Sequence, residues 1–120
     1  PVSLLALLDL ADAGKITNNT VNWPDFRSAY SVAMKEVDPS KVKDAWRPFY
    51  HMSGRVGLWS MCKGGAAADF SGISKGKPTS AASLVAHADS AQLDDTLVAG
   101  IQDATTRTAI RRSVQAIIQS

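Results

Sequence analysis

A single cysteine, Cys62, and two histidines, His51 and His87, are all that this chain offers for sulfur or imidazole chemistry. One thiol cannot form an internal disulfide, and it leaves no cysteine-based zinc site, so a reducing cytoplasm is the expected setting. Neither histidine stands in a His-x-x-x-His or mixed Cys/His spacing; no metal and no other cofactor is expected. No stretch approaches the roughly 18 consecutive apolar residues of a membrane span. The opening Leu4-Leu5-Ala6-Leu7-Leu8 has no basic stretch before it and no cleavage signal after it, unlike a secretory leader. Lys63-Gly64-Gly65 and Lys75-Gly76-Lys77 lack the frame of a phosphate loop, and no serine sits in a nucleophile elbow. The expectation is a soluble protein without membrane contact that is not an enzyme.

What is present suits one domain spanning residues 1–120. Apolar residues make up 45% of the chain, enough for one hydrophobic core but not for a second independent one. The formal charge is only +2, yet it is unevenly distributed. Residues 41–77 carry seven basic groups (Lys41, Lys43, Arg47, Arg55, Lys63, Lys75, Lys77) and two acidic ones (Asp44, Asp69), a net +5. The first forty residues net −2 and the last forty-three net −1. A local field of one sign concentrates polyanions, which makes nucleic acid the leading partner class. The alternative is a solvated lysine-bearing loop.

Helical signals dominate. Residues 2–13 have the apolar density of a helix, with Gly14 in place to cap its end. After a polar connection over residues 15–20, Asn22 and Pro24 can start a second helix, on which Phe26, Tyr30, Ala33, Met34 and Val37 recur at steps of three and four. Asp38-Pro39-Ser40 ends it. A short helix through Val42 and Trp46 is expected to stop near Arg47, because Pro48 disfavours helical geometry in the residue before it. Beyond Pro48 no helical period is visible, and residues 58–61 read as an extended segment. Residues 63–78 read as a mobile, solvent-facing loop. Residues 80–88 and 91–99 suggest two short helices. The last helix is the clearest: Asp103 is its cap, Ile110, Val114, Ile117 and Ile118 share a face, and Arg107, Arg111 and Arg112 are expected on its wet side. The fold class is therefore all-α, a mainly helical bundle with a short extended segment or hairpin near residues 54–61.

The block from Trp46 to Trp59 is unusual. Few core segments hold so many cationic and polar groups beside their aromatics, and few loops hold so many large rings. Trp23, Trp46 and Trp59 are best read as core anchors, and His87 as structural. Arg47, Pro48, His51, Ser53, Gly54 and Arg55 cluster where the chain is expected to leave helical geometry. A prolyl ring beside an aromatic makes a rigid apolar concavity, and Arg and His donors around it can hold phosphate oxygens. The competing reading is a surface turn whose proline only breaks a helix.

Three stretches carry a resemblance. Pro1-Val2-Ser3-Leu4-Leu5-Ala6-Leu7-Leu8 is similar to the opening helix of the sulfur-binding domain in McrA-like, phosphorothioate-dependent type IV restriction endonucleases. Pro48-Phe49-Tyr50-His51-Met52, followed by Gly57-Leu58-Trp59, resembles that family's Pro-Phe-x-x-Leu and Gly-Phe/Leu-Trp block. The tail from Leu93 to Ile118 resembles its closing helices. The resemblance implies a helical domain that binds double-stranded DNA in which sulfur replaces a non-bridging phosphate oxygen. It further implies a covalently attached His-Asn-His nuclease domain elsewhere in the full-length protein, with no catalysis by these 120 residues. A bacterial cytoplasmic location, on the nucleoid when bound, follows, and a homodimer through the missing part is compatible.

By position, the resemblance makes Pro48 the wall of the sulfur cavity, with Arg47, Tyr50 and His51 around it. Ser53, Gly54 and Arg55 would lie at base edges, and Lys41, Lys43, Lys63, Lys75 and Lys77 would contact phosphates. Three departures stand out. Some relatives have tyrosine where this chain has Arg47, and many carry a basic residue before the opening proline. The spacing from Pro48-Phe49 to Gly57-Leu58-Trp59 is about one residue longer than in relatives. The alternatives are a general DNA-binding module, in which the aromatic block is only core, and a protein-interaction domain using Tyr50 and Trp59 as anchors.

Overall fold

A computed structural model describes residues 2–54, 59–73 and 76–119. In chain order these form α1 (Val2–Asp12), β1 (Thr20–Asn22), α2 (Trp23–Val37), a 3-10 turn (Pro39–Lys41), α3 (Trp46–Gly54), β2 (Trp59–Lys63), β3 (Ala66–Ala67), α4 (Ala81–His87), β4 (Ser90–Leu93), α5 (Asp95–Gln102) and α6 (Ala104–Gln119). The described residues are thus mainly helical, with a small antiparallel sheet in the order β1-β4-β2-β3. No described helix is long and apolar enough to cross a membrane.

Local chemistry explains where most helices begin and end. Gly14, at φ +69°, closes α1: its amide donates to Ala11, and that of Lys15 reaches back to Leu10 at 2.9 Å. Only a residue tolerant of the left-handed region closes a helix this way without strain. Pro24 lies in the first turn of α2, where no intrahelical acceptor awaits its missing N–H. Ser80, Asp94 and Asp103 each accept amide hydrogens at the starts of α4, α5 and α6.

The sheet has one dry face. Trp59 pairs with Leu93, and Met61 with Ala91, which in turn pairs with Val21. All five side chains are buried, whereas Ser60 and Gln92 between them are exposed. This alternation is that of an antiparallel sheet covered on one side only. The covering layer includes α2 and α3, whose Phe26 and Phe49 are fully buried. α1 contributes Leu5, Leu7, Leu8 and Leu10, and packs on α2, α5 and α6.

Several expectations are corrected here. Pro48 does not end a helix; it sits in the first turn of α3, a position as tolerant of proline as Pro24's. Residues 90–93 are a strand, because β4 must pair with both β1 and β2 to complete the sheet, and the helix starts only at Asp95. Asn22 ends β1 and makes no side-chain cap bond. The extended segment or hairpin expected near 54–61 is present as β2 from Trp59, paired with β3, while Gly54 still belongs to α3. Residues 63–78 include β3, joined to β2 by Gly64 and Gly65, both at positive φ. Ile117 points outward, 63% exposed, while Val114 alone on α6 is fully in the core.

Arg107 and Arg111 are not on a wet face either. Arg111 clamps Asp9 and Asp12 of α1 at 2.9 and 2.8 Å, and Arg107 Nε meets Asp12 at 2.6 Å. Arg107 also donates to the carbonyl of Ile101, which closes α5 onto α6. Arg112 is exposed.

Candidate nucleic-acid interface

α3 is anchored through one residue and open along the other side. Phe49 lies 4.9 Å from Phe26, 5.2 Å from Trp23 and 5.9 Å from Trp59, ring centroid to centroid, within a cluster of tilted rings. The indole Nε1 of Trp59 donates to the carbonyl of Phe49 at 2.7 Å. Both contacts fix the rotation of the helix about its axis. At 100° per residue, Arg47 and His51 then lie about 40° apart on the side opposite Phe49, while Pro48 sits on the flank beside His51, about 100° round from Phe49. Arg47 and His51 are exposed and Pro48 is half-buried.

Each rim residue has a neighbour. The Arg47 guanidinium lies over the half-buried Trp46 ring, 5.2 Å from its centroid, which leaves its N–H edges to solvent. The His51 ring lies tilted 5.8 Å from that of Tyr50, and Tyr50 meets Phe70 edge-on at 5.2 Å. Tyr50 therefore faces the segment after β3. The Ser53 hydroxyl donates to the Tyr50 carbonyl at 2.6 Å, so toward a base edge its oxygen is left as an acceptor. Gly54 ends the helix, and Arg55 lies outside the described residues.

The lysines are more scattered. Lys41 and Lys43 are exposed on the approach to α3, Lys41 lying 3.9 Å from the Asp38 carboxylate. Lys63 ends β2, and its Nζ donates to the Val85 carbonyl on α4 at 3.2 Å. Lys77 is exposed, and Lys75 lies outside the described residues.

Both acidic groups of the positive segment are engaged. Asp44 stands close enough to Tyr30 to help hold its hydroxyl above the usual range, an effect owed chiefly to burial. The Asp69 carboxylate accepts from Ser71, which holds it below the usual carboxylate range, and the neighbouring His87 adds to that. Among the described residues no three His, Cys, Asp or Glu side chains converge as a metal set.

Three of the concavities in the described surface lie away from α3. One of about 330 Å³ lies between α1, α2 and α6, with Leu5, Val32, Val37 and Ile118 as its apolar lining. A second lies beside Asn22 and Asp89, and a third between α1 and α2 around Asp25 and Val32. None of the three is lined by Arg47, Pro48, Tyr50 or His51.

Phe70 and His87 join this surface without any signal in the sequence, since they are brought to Tyr50 only by the packing of α3 against α4. The Arg107–Arg111 clamp had a signal: cations four apart on α6 match Asp9 and Asp12, three apart on α1. No protein-family model matches the chain, and no curated protein matches it either.

Proposed function

We propose that this chain is a DNA-recognition domain that binds double-stranded DNA at a phosphorothioate linkage and delivers an attached nuclease domain to it. The observation that carries the reading is the exposed pair Arg47 and His51 opposite Phe49 on α3, with the half-buried Pro48 on the flank beside His51. A buried ring on one side of a short helix makes the opposite side rigid, and that side presents two nitrogen donors with a pyrrolidine at its flank. Sulfur is larger and less strongly hydrated than oxygen, so it loses less than oxygen does when an apolar ring displaces its water. An ordinary phosphate oxygen there would be dehydrated without a replacement partner, and that cost supplies the discrimination.

In this reading Arg47 and His51 hold the remaining phosphate oxygens through charge-assisted bonds. Ser53, Gly54 and Arg55 follow on toward base edges, while Lys41, Lys43, Lys63, Lys75 and Lys77 supply backbone attraction without sequence preference. The net +5 of residues 41–77 supports a polyanionic partner. A second reading, duplex binding without sulfur selection, is favoured by one observation: the net +5 of residues 41–77 attracts any polyanion, with or without sulfur.

Two duplexes of identical sequence separate the readings, one carrying a single Rp phosphorothioate and one unmodified, compared by fluorescence anisotropy at fixed salt. Tighter binding of the modified duplex supports sulfur recognition. Equal affinities leave general DNA binding, and binding to neither overturns both.

A further inference from the structure

The two histidines of this chain stand at opposite ends of one row of rings. His51 is 5.8 Å from Tyr50, Tyr50 is 5.2 Å from Phe70, and Phe70 is 5.9 Å from His87. The row starts on α3, crosses the segment after β3 and ends on the last residue of α4. Cations extend it at both ends. Arg47 lies one helical turn before His51, and Lys63 donates to the carbonyl of Val85, two residues before His87.

The row lies at the margin of the core. Tyr50, Phe70 and His87 are half-buried and His51 is exposed, whereas the Trp23–Phe26–Phe49–Trp59 cluster is buried beneath. Half-buried rings whose edges are set by one another form a fixed platform, and imidazoles at its ends can donate to phosphate or sugar oxygens. Its three steps cover at most about five base pairs of duplex, at roughly 3.4 Å of axis per pair. Among the described residues two acidic groups adjoin it: Asp69, next to Phe70 and close to His87, with its carboxylate held by the Ser71 amide at 2.9 Å, and Asp89, near Lys63, with its carboxylate held by the Gly64 amide at 2.9 Å.

We infer that the DNA-contacting surface runs from α3 along this row to the end of α4, where His87 touches the sugar-phosphate backbone and Phe70 positions it. This rests on the DNA-binding reading and adds to it a contact that is indifferent to sulfur and to sequence. α3 selects the linkage, and the far end of the row adds affinity for any duplex.

Because the chain has only two histidines, their imidazole C–H signals can be told apart by nuclear magnetic resonance, with His51→Gln and His87→Gln assigning them. Titration with the phosphorothioate duplex is expected to move both signals. His87→Gln is expected to weaken the modified and unmodified duplexes by the same factor, about threefold to fivefold, the worth of one modest hydrogen bond. Phe70→Leu keeps the apolar contact and loses the ring; it is expected to shift the His87 signal in the free protein and to reduce its movement on adding DNA. Lys35→Ala, on the exposed side of α2, is expected to change neither affinity. If the His51 signal moves while that of His87 stays, the extension is wrong and the α3 reading stands. If DNA binds and neither signal moves, or if no duplex binds, both are wrong. Should His87→Gln fold poorly, the wild-type titration alone decides.

Discussion

Trp59 and Phe49 are joined twice: the indole N–H donates to the Phe49 carbonyl at 2.7 Å, and their rings lie 5.9 Å apart in the core. The bond ties the buried side of α3 to the first residue of β2, so the orientation of Arg47, Pro48 and His51 is inherited from the sheet. Trp59→Phe keeps a ring in the core but removes the side-chain donor to the Phe49 carbonyl, at a cost of about 1 kcal/mol. Urea unfolding is expected to show that loss as a lower midpoint with an unchanged slope.

Pro48→Ala tests the sulfur contact with little disturbance of the fold. Alanine accepts the first-turn geometry that proline adopts here, so the change in stability should stay within about 1 kcal/mol. Affinity for the phosphorothioate duplex is expected to fall about tenfold, the loss of roughly 1.4 kcal/mol of apolar contact, while affinity for the unmodified duplex stays the same. An unchanged ratio of the two affinities would place the selectivity elsewhere.

The helices at the two ends are legible in the sequence because their signals are local: Gly14 and Asp103 mark a stop and a start, and apolar residues recur between them. α3 is not legible, since Pro48 means either the end of one helix or the first turn of the next, and only Phe49 and Trp59 packing together decides. β4 is hidden for a related reason. Ser90-Ala91-Gln92-Leu93 has weak strand propensity, and its extended form comes from two neighbours, β1 and β2, that pair with it from either side. For the candidate site, the cluster of residue types at 47–53 is visible in one dimension, whereas the row through Phe70 to His87 exists only in three.

The clamp between α1 and α6 gives a salt-dependent prediction. Asp12 meets both Arg107 and Arg111, at 2.6 and 2.8 Å, and is half-exposed. Removing it in Asp12→Ala is expected to cost about 1 kcal/mol at low ionic strength, as exposed pairs are worth little singly and somewhat more in a network. In about 1 M salt the Debye length shrinks to roughly 3 Å and most of the difference should disappear. Thermal melts at the two salt concentrations check this, and a cost that persists unchanged at high salt would assign Asp12 a packing role.

Acid stability follows from four carboxyls held below their ordinary value of 3.8: Asp38 by Ser40, Asp69 by Ser71, Asp89 chiefly by the Gly64 amide, and Asp103 by Thr106. A group whose pKa is lower in the folded state binds protons more weakly there than in the unfolded chain. Its contribution is therefore full above the unfolded value and is lost as pH falls through the folded one. The melting temperature is expected to show no loss from these four groups between pH 7 and about pH 5, and to decline below about pH 4. Asp103→Asn, which keeps an N-cap acceptor but cannot titrate, should flatten part of that decline.

Lys43→Ala is the counterpart of Pro48→Ala. Lys43 is exposed just ahead of α3 and, in the proposed complex, meets a phosphate as a point charge without regard to sulfur. Its loss is expected to weaken the modified and unmodified duplexes equally and to reduce the slope of log affinity against log salt by about 1, the signature of one fewer released counterion. Lys41→Ala should do less, because the Asp38 carboxylate 3.9 Å away already offsets part of its charge. Anisotropy titrations of both duplexes over a range of salt concentrations measure the two quantities together. A drop confined to the modified duplex would move Lys43 from the general backbone contact into the sulfur site itself.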